Sequence, residues 1–258
     1  MKAVILAAGV GRRLSKYTRD LPKGMLSFKG KALIEHQLDA LRAFGISDIA
    51  IVTGYKSQKI NFSNVTYFHN KNFSSTNMLE SFLCAREFFT DDLIISYSDI
   101  VYTPALVDNL CSADCDIGAA VDSDWKKLWK LRYGDTENDL EILHVNQNLY
   151  VTEIGRKTDS SVGLNYRYIG LLKFSIRGID TFLTVYENRL GQTWPQSGKD
   201  FKNGYMTDIL AQMISEKYKV KAISSKGGWL EFDTNEDYEI ITKAYQLGKI
   251  SNQYVING

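Results

Sequence analysis

Lys2-Ala3-Val4-Ile5-Leu6-Ala7-Ala8-Gly9-Val10-Gly11-Arg12-Arg13-Leu14 begins with an unbroken apolar run, stops at two glycines and continues into two arginines. A continuous apolar run, as opposed to an alternating one, suits a strand covered on both faces within a parallel sheet, and Gly9 and Gly11 end it. Glycines let backbone N–H groups come close to a phosphate chain, and small alanines leave room beside it. Arg13, together with the lysine of Pro22-Lys23, can neutralise phosphoryl oxygens. The turn therefore reads as a triphosphate cradle. Two better-known phosphate loops do not fit: a dinucleotide fingerprint needs glycine or alanine where Leu14 stands, and G-x-x-x-x-G-K-[ST] is absent. The plain alternative is a glycine-rich turn with solvated arginines.

Working outward, Leu33, Ile34, Leu38, Leu41 and Phe44 recur at helical spacing from Ala32 to Phe44, with Gly45 placed to close the helix, and Asp48 to Thr53 reads as a second strand. Strand, loop, helix, strand is the order of a doubly wound sheet. The alternation continues with a strand from Val65 to Phe68, a helix from Thr76 to Phe89, a strand from Leu93 to Tyr97, a helix from Pro104 to Leu110 and a strand from Ile117 to Val121. The middle is expected to be antiparallel, with a hairpin of Leu140 to Val145 and Tyr150 to Ile154 and a strand from Tyr166 to Phe174. Helices from Ile179 to Arg189 and Tyr205 to Lys217, strands from Val220 to Ser224 and Trp229 to Phe232, and a helix from Thr234 to Leu247 complete the expectation, with a mobile loop from Gly191 to Gly204. Without a linker or repeat, the chain reads as one α/β domain over 1–258: a Rossmann-like, mixed but mainly parallel sheet flanked by helices. Its nucleotide-binding half covers about 1–120 and its acceptor-binding half about 121–258.

The 258 residues are 44% hydrophobic and 24% charged, enough for a sizeable core. A net charge of +1 supplies no field to draw the protein to nucleic acid or an anionic membrane, so any phosphate binding must be local. Cys84, Cys111 and Cys115 are odd in number and lack both a CxxC pair and a histidine at metal spacing, so they read as reduced thiols. The opening apolar stretch is too short for a secretion signal or a membrane span, and a cytoplasmic location is expected.

Leu6 to Leu14 with Pro22-Lys23 resembles the signature of the sugar-phosphate and choline-phosphate nucleotidyltransferases, L-A-A-G-x-G-x-R-L followed by P-K. The likeness runs along nearly the whole chain, through Thr76-Asn77, Ser98-Asp99-Ile100, Glu153 to Lys157, Tyr168-Ile169-Gly170, Met206-Thr207-Asp208 and Trp229 to Asp233. Ser75 to Met78, Tyr97 to Tyr102 and Val121 to Trp125 look most like the cytidylyltransferases that activate phosphocholine, or phosphoglutamine for bacterial capsule modification. Uridylyl- and thymidylyltransferases of sugar-1-phosphates usually carry a longer glycine loop and a Glu-Lys-Pro triplet where this chain has Glu153-Ile154-Gly155-Arg156-Lys157. A sugar-1-phosphate enzyme and a catalytically silent nucleotide-binding module stay as alternatives.

The resemblance implies transfer of CMP from CTP to the phosphate of a small acceptor, with pyrophosphate released and Mg²⁺ held by Asp99 and Asp233. Each aspartate follows an expected strand, which would place both at carboxyl ends of parallel strands, where open α/β sheets bind ligands. Asp233 could instead cap the helix that starts at Thr234. The acceptor phosphate is already nucleophilic, so no general base is required, and His36, His69 and His144 are expected to be structural or exposed. Lys23 would sit at the α-phosphate, with Gly11, Arg12 and Arg13 at the departing pyrophosphate. Leu6, Ala8, Gly9, Thr53, Gly54, Tyr55, Thr76, Asn77 and Ser98 would complete the nucleotide site, Thr76 being equally suited to a helix cap. Asp122, Trp125, Glu153, Lys157, Tyr168 and Trp229 would line the acceptor site. There the aromatic rings would box a quaternary ammonium while Asp122 would suit a primary amine, with core packing the alternative for Trp125 and Trp129. The expected partners are CTP and a small phosphorylated acceptor, without nucleic acid or membrane, in a monomer or homodimer.

Overall fold

The computed structural model describes residues 1–256; Asn257 and Gly258, the end of the expected domain, lie outside the described residues. In β1 (Lys2–Ala7) the side chains divide between two cores, Ala3, Ile5 and Ala7 entering one and Val4 and Leu6 the other. That division explains why the run is continuously apolar, since neither face of the strand meets water. The short α1 (Ser15–Thr18) and the small hairpin of β2 (Ser27–Phe28) and β3 (Lys31–Ala32) lead into α2 (Leu33–Ala43), β4 (Ile49–Thr53) and β5 (Thr66–His69). Next come α3 (Met78–Leu83), β6 (Leu93–Tyr97), β7 (Ile100–Tyr102), α4 (Pro104–Ser112), β8 (Ile117–Asp122) and α5 (Lys126–Tyr133). The hairpin β9 (Leu140–Val145) and β10 (Val151–Thr158), then β11 (Arg167–Phe174), α6 (Ile176–Asn188), α7 (Met206–Ser215), β12 (Lys221–Ser225), β13 (Trp229–Glu231) and α8 (Asn235–Gln246) complete the order.

The central sheet has seven strands in the order β12-β8-β11-β6-β1-β4-β5. Its neighbours are parallel except at β11, which runs antiparallel to both β6 and β8. Buried residues of α2, α4, α5 and α8 cover one face, and those of α3, α6 and α7 the other. The expected mixed, mainly parallel sheet with flanking helices is therefore present.

Two local expectations are corrected. The helix expected from Thr76 to Phe89 stops at Leu83, and a separate turn of 3-10 helix covers Arg86–Phe88. The Phe82 and Phe89 rings stack at 4.4 Å, whereas residues seven apart on a straight helix are separated by about 10 Å of rise; the tightened chain brings Phe89 back over Phe82. Then β7, which was not anticipated, pairs antiparallel with β13 through Ile100 and Glu231, Val101 and Leu230, and Tyr102 and Trp229. Asp233 thus follows a strand of this small ladder and not a parallel strand of the main sheet.

Candidate active site

The small ladder is what joins the two aspartates. Asp99 precedes β7 and Asp233 follows β13, and Phe232 N–H donates to the Asp99 carbonyl at 2.9 Å, so both carboxylates emerge at the same open end of one antiparallel pair. Lys23 enters between them, with Nζ 2.7 Å from Asp99 Oδ2 and 2.6 Å from Asp233 Oδ1, and Arg13 Nη2 lies 2.5 Å from Asp233 Oδ2. Burial works against ionisation of Asp233, but the ammonium of Lys23 and the guanidiniums of Arg13 and Arg132 outweigh it and hold the carboxyl below its ordinary value. Burial likewise opposes the charge on Lys23, and Asp99 and Asp233 more than compensate, raising its pKa. Asp233 does not cap α8: the Thr234 hydroxyl accepts from Asp237 N–H at 3.1 Å, and the Asp237 carboxylate accepts from Thr234 N–H at 2.9 Å.

The glycine turn forms the wall opposite. Gly11 is left-handed, with φ 67° and ψ 44°, and a Cβ there would stand 3.3 Å from the Lys23 Cβ, so the position needs glycine for conformation and for space alike. A cavity of about 320 Å³ opens over the turn, lined by Leu6, Ala8, Gly9, Gly11, Arg12, Arg13, Lys23, Thr76, Asn77, Ser98, Asp99 and Asp233, and also by Phe73, Met78, Ser81 and Tyr97, which the sequence reading missed. Asn77, not Thr76, caps α3, its Oδ1 accepting from Met78 N–H at 2.9 Å, while the Thr76 hydroxyl donates to the Asn72 carbonyl at 2.9 Å.

Thr53, Gly54 and Tyr55 do not line this cavity. Tyr55 braces the turn from behind, its N–H donating to the Ala8 carbonyl at 3.0 Å and its hydroxyl to the Arg19 carbonyl at 2.7 Å, while the buried Thr53 hydroxyl donates to the Phe68 carbonyl of β5 at 3.0 Å. The histidines stand apart from the cavity too, His36 against the Phe28 carbonyl, His69 against Thr53 and His144 against Glu153.

A second cavity of about 530 Å³ shares Arg13, Met78, Tyr97, Asp99 and Asp233 with the first. The expected acceptor residues Lys157 and Tyr168 line it, together with Asp139, Glu141, Arg167, Gly170, Tyr205, Thr207 and Glu231. Gly170, at φ 82°, lies within a β-bulge of β11 between Tyr168 and Leu172, and a Cβ there would meet the Tyr97 ring at 2.7 Å, so the glycine leaves the room in which Tyr97 sits between the cavities.

The remaining acceptor expectations are corrected. Trp125 and Trp229 are 1% and 2% exposed, in the core. The Trp229 indole donates to Asp122 Oδ2 at 2.9 Å, and Asp122 Oδ1 accepts from the Gly227 and Asp124 N–H groups, so Asp122 is a clasp between β8 and the turn before β13. The Trp125 indole donates to the Leu164 carbonyl and its ring packs against Trp129, the core arrangement. Glu153 lies beside Arg156 and His144, away from the cavity. Between Ile154 and Lys157 three residues of β10 advance against two of β9, a bulge that shifts the side-chain alternation and sends Lys157 to a different face from Glu153.

Gln37 is a supporting residue that went unnoticed. It is fully buried, and its amide donates to the Tyr97 carbonyl at 2.9 Å and the Ile100 carbonyl at 2.6 Å while its carbonyl accepts from Ser96. It therefore pins both ends of the turn that carries Ser98 and Asp99. A glutamine set among Leu33, Ile34, Leu38 and Leu41 on the apolar face of α2 was the available signal.

With this geometry in place, comparison with known proteins assigns the class. Residues 3–142 match the MobA-like NTP transferase domain, and the chain belongs to that family of nucleotidyltransferases. It is 37% identical over 251 residues to the CTP:phosphoglutamine cytidylyltransferase of Campylobacter jejuni, covering 93% of this chain and 98% of that one. It is also 29% identical over 139 residues to the choline-phosphate cytidylyltransferase of Streptococcus pneumoniae, 52% of this chain and 60% of that protein. The solved CTP:phosphocholine cytidylyltransferase from Streptococcus pneumoniae has the same fold, with TM-score 0.74 at 20% identity over 95% of this chain and 98% of that one. Among the described residues no helix is long and apolar enough to cross a membrane.

Proposed function

We propose that the protein transfers CMP from CTP to the phosphate of a small acceptor such as phosphocholine or phosphoglutamine, releasing pyrophosphate. The observation that carries this reading is the meeting of Lys23, Asp99 and Asp233 at the boundary between two cavities, one beside the glycine turn and one beyond Tyr97. The names of the similar proteins support CTP as the donor and an organic phosphate as the acceptor.

In this reading the nucleotide occupies the first cavity, with its β- and γ-phosphates against Gly11, Arg12 and Arg13. An acceptor phosphate oxygen attacks the α-phosphorus in line, forming one phosphorus–oxygen bond as the bond to pyrophosphate breaks. Lys23 faces the charge that builds at the α-phosphate, and Arg13 faces the leaving group, so the chain contributes positioning and fixed positive charge and moves no proton. Asp99 and Asp233 suit Mg²⁺, which takes oxygen ligands: they share one small space, and Asp99 Oδ1 is buried without a hydrogen-bond partner. Bound there, the ion would offset phosphate charge. The setting this reading implies is a cytoplasmic enzyme that prepares an activated group for capsule or another surface glycan.

Pyrophosphate release should be measured with each of the four NTPs against phosphocholine, phosphoglutamine and sugar-1-phosphates, with and without Mg²⁺. CTP with one of the first two acceptors is expected to be the fastest pair. A faster rate with UTP or dTTP and a sugar-1-phosphate would replace this reading with the sugar-1-phosphate alternative.

A further inference from the structure

The stretch expected to be a mobile loop, Gly191 to Gly204, is held from Trp194 onward. Most of its residues are exposed, yet the Trp194 side chain is fully buried. The Trp194 indole donates to the Phe201 carbonyl at 2.9 Å, and the two rings lie nearly parallel with centroids 6.0 Å apart. The Trp194 N–H donates to the Lys199 carbonyl and its carbonyl accepts from Gly198 N–H, each at 2.8 Å, so the segment closes on its own anchor. Gly204 then passes between Trp194 and α3, where a Cβ would stand 2.3 Å from Trp194 Nε1 and 2.8 Å from Leu79 Cδ1. A polar stretch with one large aromatic driven into the core is a strap.

What the strap holds is a wall of the first cavity. Thr76 and Asn77 line that cavity, and α3, which follows them, has six residues, too few to fix its own first turn. The strap supplies the missing partners. Asn77 N–H donates to the Lys202 carbonyl at 3.0 Å, the Asn77 side-chain amide donates to the Asn203 carbonyl at 3.4 Å, and the Asn203 side-chain amide donates to the Ser75 carbonyl at 3.3 Å. Residue 203 thus brackets Thr76 from both sides, and the Asp200 carboxylate, accepting from the same Asn203 amide at 3.0 Å, orients it. Asn203 itself lines neither cavity. Resting on the reading that the first cavity receives CTP, we infer that Asn203 is a positioning residue for the nucleotide: it fixes the Ser75–Asn77 wall against which the nucleotide lies, and buried Trp194 fixes Asn203.

The test measures CTP binding by titration calorimetry with Mg²⁺, and KM at saturating CTP for whichever of phosphocholine and phosphoglutamine is turned over. Hydrogen exchange along the chain is followed beside them. Asn203→Ala should weaken CTP binding about three- to tenfold, the scale of one lost hydrogen bond. Exchange should quicken around Asn77 alone, with KM for the acceptor and the melting temperature of the free chain unchanged. A purely structural role would not produce that split. Gly204→Ala forces Trp194 and α3 apart and should weaken CTP binding further, by about tenfold or more. Wild-type CTP affinity in Asn203→Ala, or equal losses for CTP and the acceptor, would overturn the inference and leave the transfer reading standing. If the unaltered protein binds no CTP, that reading falls and this inference with it. Should Gly204→Ala fail to fold, Asn203→Ala decides alone.

Discussion

Lys23 Nζ lies 2.6 Å from Asp233 Oδ1, and its other contact, at 2.7 Å, is Asp99. In the ligand-free chain this one ammonium separates two carboxylates that would otherwise repel across a poorly hydrated space. Lys23→Ala is expected to lower pyrophosphate release by about a hundredfold or more, the scale of losing a group aimed at transition-state charge. The melting temperature should also fall without Mg²⁺ and recover partly when the ion is added, because breaking a buried pair leaves uncompensated charge. Wild-type turnover in the variant would remove Lys23 from the chemistry.

Asp99→Asn and Asp233→Asn are expected to raise the Mg²⁺ concentration needed for half-maximal rate, because an amide is a poorer ligand than a carboxylate for a hard cation. Titrating Mg²⁺ against initial rate checks this, and an unchanged midpoint in both variants would place the ion elsewhere.

The depressed pKa of Asp233 carries a pH signature with a definite sign. Its native value lies below the ordinary 3.8, so the unfolded chain takes up the proton first as pH falls. The stabilisation is complete at neutral pH and is lost below pH 3.8 as the medium passes through the native value. Urea midpoints measured across that acid range should fall less steeply for Asp233→Asn than for the wild type; parallel slopes would contradict the assignment.

Trp229→Phe separates a structural role from an acceptor-binding one. The substitution keeps most of the ring but strands Asp122 Oδ2, which now accepts from the indole at 2.9 Å. A loss of about 1–3 kcal/mol in urea unfolding is expected, the cost of leaving a buried acceptor unsatisfied, with KM for the acceptor unchanged. A raised KM at unaltered stability would return Trp229 to the acceptor site.

Gln37→Leu fits the helix but abandons the Tyr97 and Ile100 carbonyls. Stability should drop by about 1–3 kcal/mol, and kcat should fall more than KM for CTP changes, since the turn bearing Asp99 loses its support. Steady-state kinetics beside a denaturation curve separate the two effects.

The lining of the cavity over the glycine turn was legible because one local segment supplies much of it: a buried strand, a glycine turn and Arg13, with Lys23 a few residues on. The helices and the mainly parallel order could also be read, since their apolar periodicity is uninterrupted. What escaped depended on register. Glu153 and Lys157 would share a face in a regular strand, and only a bulge in β10 sends them apart. Asp122 and Trp229 looked like recognition groups because an acidic and an aromatic residue carry the same letters in a pocket or in a buried hydrogen bond. The pairing of β7 with β13 connects distant segments, so the means by which Asp99 meets Asp233 was hidden even though both residues were singled out.

Arg132 ties the late part of the chain to the middle: its guanidinium meets both Asp237 oxygens at 2.9 Å and also contacts Glu231. Asp233 sits between those two anchors, on a segment that a ribosome delivers long after the glycine turn. On the proposed reading, a nascent or clipped chain that ends before β13 would lack half of the carboxylate pair, and it is expected to release no pyrophosphate from CTP even where its first hundred or so residues already fold around the glycine turn.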